Sequence, residues 1–179
     1  LAGFKKGDVN RIVKNVMKIE TALADSAWTK EQSRNIPAMY NPRSMEQLQQ
    51  LYPNVNWKKY FDRTMGINDL DMVIVTEPSA IAQANTLLGS TNDREKKDYY
   101  IWQVVRSGAP YLSDDFANAG FEFSKVMSGA EKMQPRWKRS LAVAEGTMGE
   151  AIGELYVDEY FPASSKEYME GLVENLRTA

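Results

Sequence analysis

The stretch Trp137–Pro162, WKRSLAVAEGTMGEAIGELYVDEYFP, decides how this chain is read. Its spacing is helical, but its pattern is not that of an ordinary surface helix. At about 100° per residue, Leu141, Met148, Ile152 and Leu155 fall on one side, with Trp137 at the start of the same stripe. Ala142, Gly146, Gly149 and Gly153 fall roughly opposite. Each interior glycine costs about 1 kcal/mol relative to alanine. A sequence tolerates that where another element comes close to the backbone. The helix is therefore expected to be buried on two sides, with Arg139, Glu150 and Glu154 forming a narrow wet strip.

Outward from this helix, the pattern stays helical. Val9, Ile12, Val16, Ile19 and Leu23 recur at three- and four-residue intervals, with Asp8 placed to cap them. Thr29–Gln32, Ser44–Gln47 and Ser164–Glu167 read as capping boxes. Asn56 caps a helix from Trp57 that Gly66 stops, and Asn92 caps another running from Asp93 to about Ser107. Glu77-Pro78-Ser79 opens a helix through Leu88, with Gly89 as its stop. Ser113 opens one carrying Phe116, Phe123, Val126 and Met127. Pro135 suits the first position of the 137–162 helix, and Pro162 ends it. The last stripe is Tyr168, Met169, Leu172, Val173 and Leu176. The two prolines of Asn35–Arg43 predict irregular backbone, and Asp71–Val75 is the one strand-like run. The expected fold is all-α: a multi-helix domain with two long buried helices and at most one short strand pair.

Composition narrows function by exclusion. The 179 residues carry 22 Lys+Arg against 24 Asp+Glu, a net charge of −2, which argues against nucleic acid as the main partner. There is no histidine and no cysteine. That removes the commonest general base near neutral pH, the commonest zinc ligands and any disulfide. No run approaches the ~20 apolar residues of a membrane span. The chain starts at Leu1 rather than Met and ends in an unfinished helical pattern, as expected of a piece of a longer protein.

The remaining candidates for chemistry each have a plainer reading. Asp69, Asp71 and Glu77 flank the strand but match no calcium-loop spacing, so loop and capping roles suit them better. Glu145, Glu150, Glu154, Asp158 and Glu159 would need Glu-x-x-His partners to build a di-metal bundle, and none exist. Arg136, Lys138 and Arg139 are either an anion site or solvated cations stacked beside Trp137. Asp93–Asp98, DREKKD, reads as a solvated helix face. Tyr99, Tyr100, Trp102, Tyr111 and Trp57 are either an aromatic cleft or core. From the residues alone there is no catalytic constellation.

The same Trp137–Pro162 stretch resembles the neprilysin and endothelin-converting-enzyme family of zinc metalloendopeptidases. The resemblance rests on Trp137, Arg139, Gly153, Leu155, Tyr156, Val157 and Phe161. A second block, IETALA…SRNIPAMYNPRSMEQLQ, adds Glu20, Arg34, Asn35, Tyr40 and Asn41, and the order and spacing agree along the chain. The resemblance implies part of a helical N-terminal cap domain that encloses a chamber over a catalytic domain lying outside residues 1–179. It implies zinc in the parent enzyme, none held here, and peptides as the parent's substrates. No catalytic, substrate-binding or metal residue carries over. Trp137, Gly146, Gly149, Gly153 and Tyr156 are expected to be structural. Ser140 stands where animal members usually have a disulfide cysteine, and no N-x-S/T acceptor is present, so a bacterial member is implied. The implied compartment is the bacterial cell envelope, periplasmic or secreted, with the cytoplasm as the alternative. The rival reading is a stand-alone helical ligand- or protein-binding module.

Overall fold

A computed structural model describes residues 1–178. The chain divides into two compact units, Leu1–Gly120 and Phe121–Ala179. In the first, helix α1 (Lys6–Ser26) buries the expected stripe of Ile12, Val16 and Ile19. It packs against α5 (Pro78–Ser90) and α6 (Asp93–Gly108). The helix starts two residues before Asp8, so Asp8 is not the cap. It lies in the first turn, where the positive end of the helix favours a carboxylate.

The Asn35–Arg43 stretch is more regular than its prolines suggested. Asn35 caps a single turn, α2 (Ile36–Met39), accepting from the Ala38 amide at 3.3 Å. Pro37 sits in the first turn, where its missing N–H costs nothing. The next residues form β1 (Pro42–Ser44), antiparallel to β2 (Met72–Ile74), with Arg43 opposite Val73. β2 was legible from its β-branched run, Val73-Ile74-Val75, whereas Pro42-Arg43-Ser44 carries no such signal. The pair leads into the core: Leu48, Tyr52 and Val75 are buried, with Met45, Trp57, Phe61, Val73 and Ile81 against them. Leu48 and Tyr52 come from α3 (Met45–Leu51) and its end, and Trp57 and Phe61 from α4 (Trp57–Met65). The Trp57 indole donates to the Tyr52 carbonyl at 2.9 Å, closing the α3–α4 corner.

Most helix ends follow the local rules. Ser44 and Gln47, and Asn92 and Glu95, form reciprocal capping boxes. Asn56 caps α4, which Gly66 ends in the left-handed region at φ +67°. Two signals mislead. Gly89 does not stop α5, which runs on to Ser90; a Cβ there would lie 2.6 Å from Asn54 Nδ2. That glycine serves a close approach. Ser164 does not cap α9 (Ala163–Thr178), which begins one residue earlier, with the Ser165 and Lys166 amides donating to the Pro162 carbonyl.

The second unit holds the end of α7 (Asp114–Ser128), then α8 (Arg136–Tyr160) and α9. The all-α class with one strand pair stands, but the burial expected of α8 does not. Neither α8 nor α9 has a buried residue. Leu155 is 72% exposed, Trp137 64%, and a Cβ at Gly146, Gly149 or Gly153 would meet nothing within 4 Å. Two helices and half of a third supply too little apolar surface to enclose one of their own number. The glycines instead flank a break: Met148, between Gly146 and Gly149, has φ −129° and ψ 23°, outside the helical region. Glycine pairs are a common cause of such kinks.

Candidate functional site

A polar seam between α1 and α6 orders the first unit. Asp98, on α6, is 1% exposed, the most buried ionisable group among the described residues. Arg11 reaches it from α1: Nε donates to Oδ2 at 3.0 Å and Nη2 to Oδ1 at 3.3 Å. Asn15, one turn on, donates to Oδ2 at 2.8 Å. Arg11 Nη1 also donates to Asp8, and Arg94 lies 4.0 Å from both Asp8 and Asp98. Farther along, Lys18 Nζ donates to Glu95 at 2.6 Å. The Tyr99 hydroxyl donates to Glu20 at 2.8 Å and accepts from Gln103 at 2.7 Å.

The electrostatics follow from these pairs. The Arg11 hydrogen bonds hold the Asp98 carboxyl below the usual carboxylate range, against the opposing effect of burial. Asp98 in turn, with Asp8, raises the already basic Arg11 guanidinium. Lys18, then the Asn92 amide, lower Glu95. Burial, then the Glu20 carboxylate, raise Tyr99. Every buried side-chain nitrogen and oxygen among the described residues has a partner. The paired buried groups of the seam hold α1 against α6, as a structural joint does.

The DREKKD face is therefore not simply solvated: its last residue is the buried anchor. A signal was present in the row Asp8, Arg11, Asn15 and Lys18, polar residues that run beside the apolar stripe at helical spacing.

The other candidates do not converge. Asp69 and Asp71 are exposed, while Glu77 turns away to accept from the Trp28 amide. No group of three His, Cys, Asp or Glu among the described residues is placed to hold a metal ion. Glu150 and Glu154 are exposed on α8. Lys138 Nζ sits 5.4 Å from the Trp137 ring centre, and Arg139 Nε donates to the Gln134 carbonyl at 3.2 Å. Tyr156 stacks with Tyr160 at 5.3 Å. The aromatics form two groups rather than one cleft. Trp57 meets Tyr52, Tyr60 and Phe61, while Tyr99 meets Tyr100 and Trp102. Arg106 lies over the Trp102 ring at 5.1 Å, and Tyr111 is largely exposed.

The second block of the resemblance now has physical content. Glu20 takes the Tyr99 hydroxyl, Asn35 caps α2, and the Asn41 carbonyl accepts from the Val75 amide at 3.0 Å, extending the strand pair. Arg34 and Tyr40 are exposed. This arrangement of helices around a two-stranded corner recurs in known proteins. The sequence profile for the N-terminal part of peptidase family M13 matches residues 1–179.

The chain belongs to peptidase family M13.

Among its M13 relatives, endothelin-converting enzyme 1 of Bos taurus is 27% identical over 183 aligned residues, which take in 100% of this chain and 24% of that protein. Neprilysin-2 of Drosophila melanogaster is 28% identical across 90% of this chain and 23% of its own length. The zinc metalloprotease Zmp1 of Mycobacterium tuberculosis, in an open state, superposes with a TM-score of 0.88 at 29% identity. The superposition covers 99% of this chain and 28% of Zmp1. The inhibitor complex of Zmp1 gives 0.85 at 28% identity. The chain thus spans about a quarter of the length of each relative. The residues of this M13 segment do not fit a zinc site: they offer no imidazole, no thiolate and no convergent carboxylates among the described residues.

Proposed function

We propose that this chain is a non-catalytic helical segment of the N-terminal domain of a bacterial neprilysin-like zinc metalloendopeptidase. It forms wall of the substrate chamber and packs on the catalytic part of the same polypeptide. The observation that carries the reading is α8. A family stretch with Leu141, Met148, Ile152, Leu155, Tyr156 and Tyr160 all exposed is a helix made to be covered by more protein. The zinc and the groups that activate water belong to that remaining polypeptide, and no step of peptide hydrolysis runs through residues 1–179. Trp137, Gly146, Gly149, Gly153 and Tyr156 act through packing. Ser140 and the missing glycosylation acceptors point to a bacterial member, and the compartment is the cell envelope, periplasmic or secreted, with the cytoplasm as the alternative.

The test is peptide cleavage by residues 1–179 with added zinc, beside the full-length parent. The expected result is chelator-sensitive turnover by the parent alone. Zinc-dependent turnover by the purified segment, or a parent without peptidase activity, overturns the reading. Fractionation of the source cells decides the compartment.

A further inference from the structure

Helix α6 turns one side to α1 and a different side outward. Lys96, Lys97, Tyr100, Ile101, Val104 and Val105 line an open depression of about 570 Å³ on that outer side. The two apolar pairs are one turn apart and the lysines one turn before them, a continuous face of three turns. Val104 is 71% exposed and Tyr100 56%. Neither lysine has an ion-pair partner among the described residues, although Glu95 and Asp98 of the same helix are both taken by α1. Asp93, also on this rim, lies in the first helical turn, where the helix terminus stabilises it. Two lysines against one aspartate leave this rim with a net charge of +1.

We propose that this face of α6 seats an acidic amphipathic helix contributed by the part of the parent polypeptide outside residues 1–179. The inference rests on the reading above, that such a parent exists. The apolar pairs call for a helix carrying its own apolar stripe, and Lys96 and Lys97 call for carboxylates one turn beyond that stripe. Size selects the source. Three helical turns offer a few hundred Å² at most, well below the roughly 1,000 Å² that a separate partner needs for stable association. A helix tethered on the same polypeptide arrives at high effective concentration and needs far less area. Relatives of which this chain covers only 23–28% have ample length to supply one.

The experiment uses the full-length parent and residues 1–179 side by side. Val104→Asp and the pair Lys96→Glu with Lys97→Glu are introduced into both, and thermal unfolding is followed. Both changes are expected to lower the melting temperature of the parent by several degrees and to leave the shorter chain nearly unchanged. Added salt should narrow the gap between the charge-reversed and unaltered parent. If Val104→Asp leaves the parent unmoved, nothing covers the face. If Val104→Asp destabilises the parent but charge reversal does not, the occupant is apolar and not acidic. Either result overturns the proposal. Should a variant fail to fold, Val104→Cys in the parent supplies an independent reading. Maleimide labelling at that position is expected to be about tenfold slower than at an exposed control cysteine such as Lys125→Cys. Equal rates overturn the proposal. A parent that cleaves peptides but melts unchanged refutes the face alone; a parent without zinc-dependent activity refutes the reading beneath it.

Discussion

Arg11 Nε donates to Asp98 Oδ2 at 3.0 Å across 87 positions of sequence, and Asp98 is almost wholly closed to solvent. That pair, completed by Asn15, fixes α1 against α6. Asp98 accepts three hydrogen bonds from α1 while almost wholly buried.

Asp98→Ala removes an acceptor that three hydrogen bonds use and leaves Asn15 without its partner. Arg11 and Asn15 are half-buried, so leaving them without this acceptor costs about 1 kcal/mol. Urea unfolding of residues 1–179 should show a loss of that size. Asp98→Asn keeps one carbonyl oxygen for Asn15 and should lose less. An Asp98→Ala variant as stable as the parent sequence would mean the seam contributes nothing.

The same carboxylate sets a pH dependence. Its folded pKa is lowered by Arg11, so the folded state binds fewer protons than the unfolded one in the acid range. The contribution to stability is complete above the unfolded pKa, about 3.9, and disappears as pH falls through the lower folded value. Glu95, lowered by Lys18, adds an effect of the same sign. Stability should therefore fall steeply below about pH 4. In Asp98→Asn the slope of unfolding free energy against pH should be visibly shallower. Parallel curves for the two proteins would contradict the assignment.

Gly153 tests what covers α8. In residues 1–179 an added Cβ there meets open space. Gly153→Ala should then stabilise this chain by about 0.5–1 kcal/mol, through helix propensity alone. In the full-length parent the same change should be neutral or harmful if another element packs on that face. Differential scanning calorimetry of both proteins reads the difference in sign.

Gly89 predicts the opposite behaviour at a similar helical position. A Cβ there runs into Asn54, whose amide nitrogen donates to the Asn85 carbonyl at 2.9 Å and whose backbone amide donates to Asn85 Oδ1 at 2.8 Å. Gly89→Ala must displace that side chain, which costs roughly 1 kcal/mol of hydrogen bonding and cancels the helical gain. In an Asn54→Ala background the obstruction is gone, and Gly89→Ala should become stabilising. A double-mutant cycle on chemical unfolding measures the coupling.

Local signals account for what was readable in advance. A cap such as Asn92 with Glu95, or Gly66 at positive φ, satisfies backbone groups within a few residues, so its meaning is complete in the sequence. The α1 stripe is equally local, because helical period alone puts Ile12, Val16 and Ile19 on one face. β1 was not readable, because the pairing of Pro42–Ser44 depends on a partner 30 residues away, Val73 opposite Arg43. Gly89 carried two meanings with one letter, a stop or a close approach, and only Asn54 distinguishes them.

By itself the sequence determined the long helices, most of their ends and the absence of any histidine or thiolate chemistry, because each is a property of neighbours along the chain or of composition. Its family motifs also carried the M13 assignment. Only the tertiary structure decided that Asp98 in a charged run is a buried anchor, and that the glycine-lined helix from Arg136 is bare. Burial depends on which surfaces meet across long separations, and no local pattern states whether a face made for contact has found one.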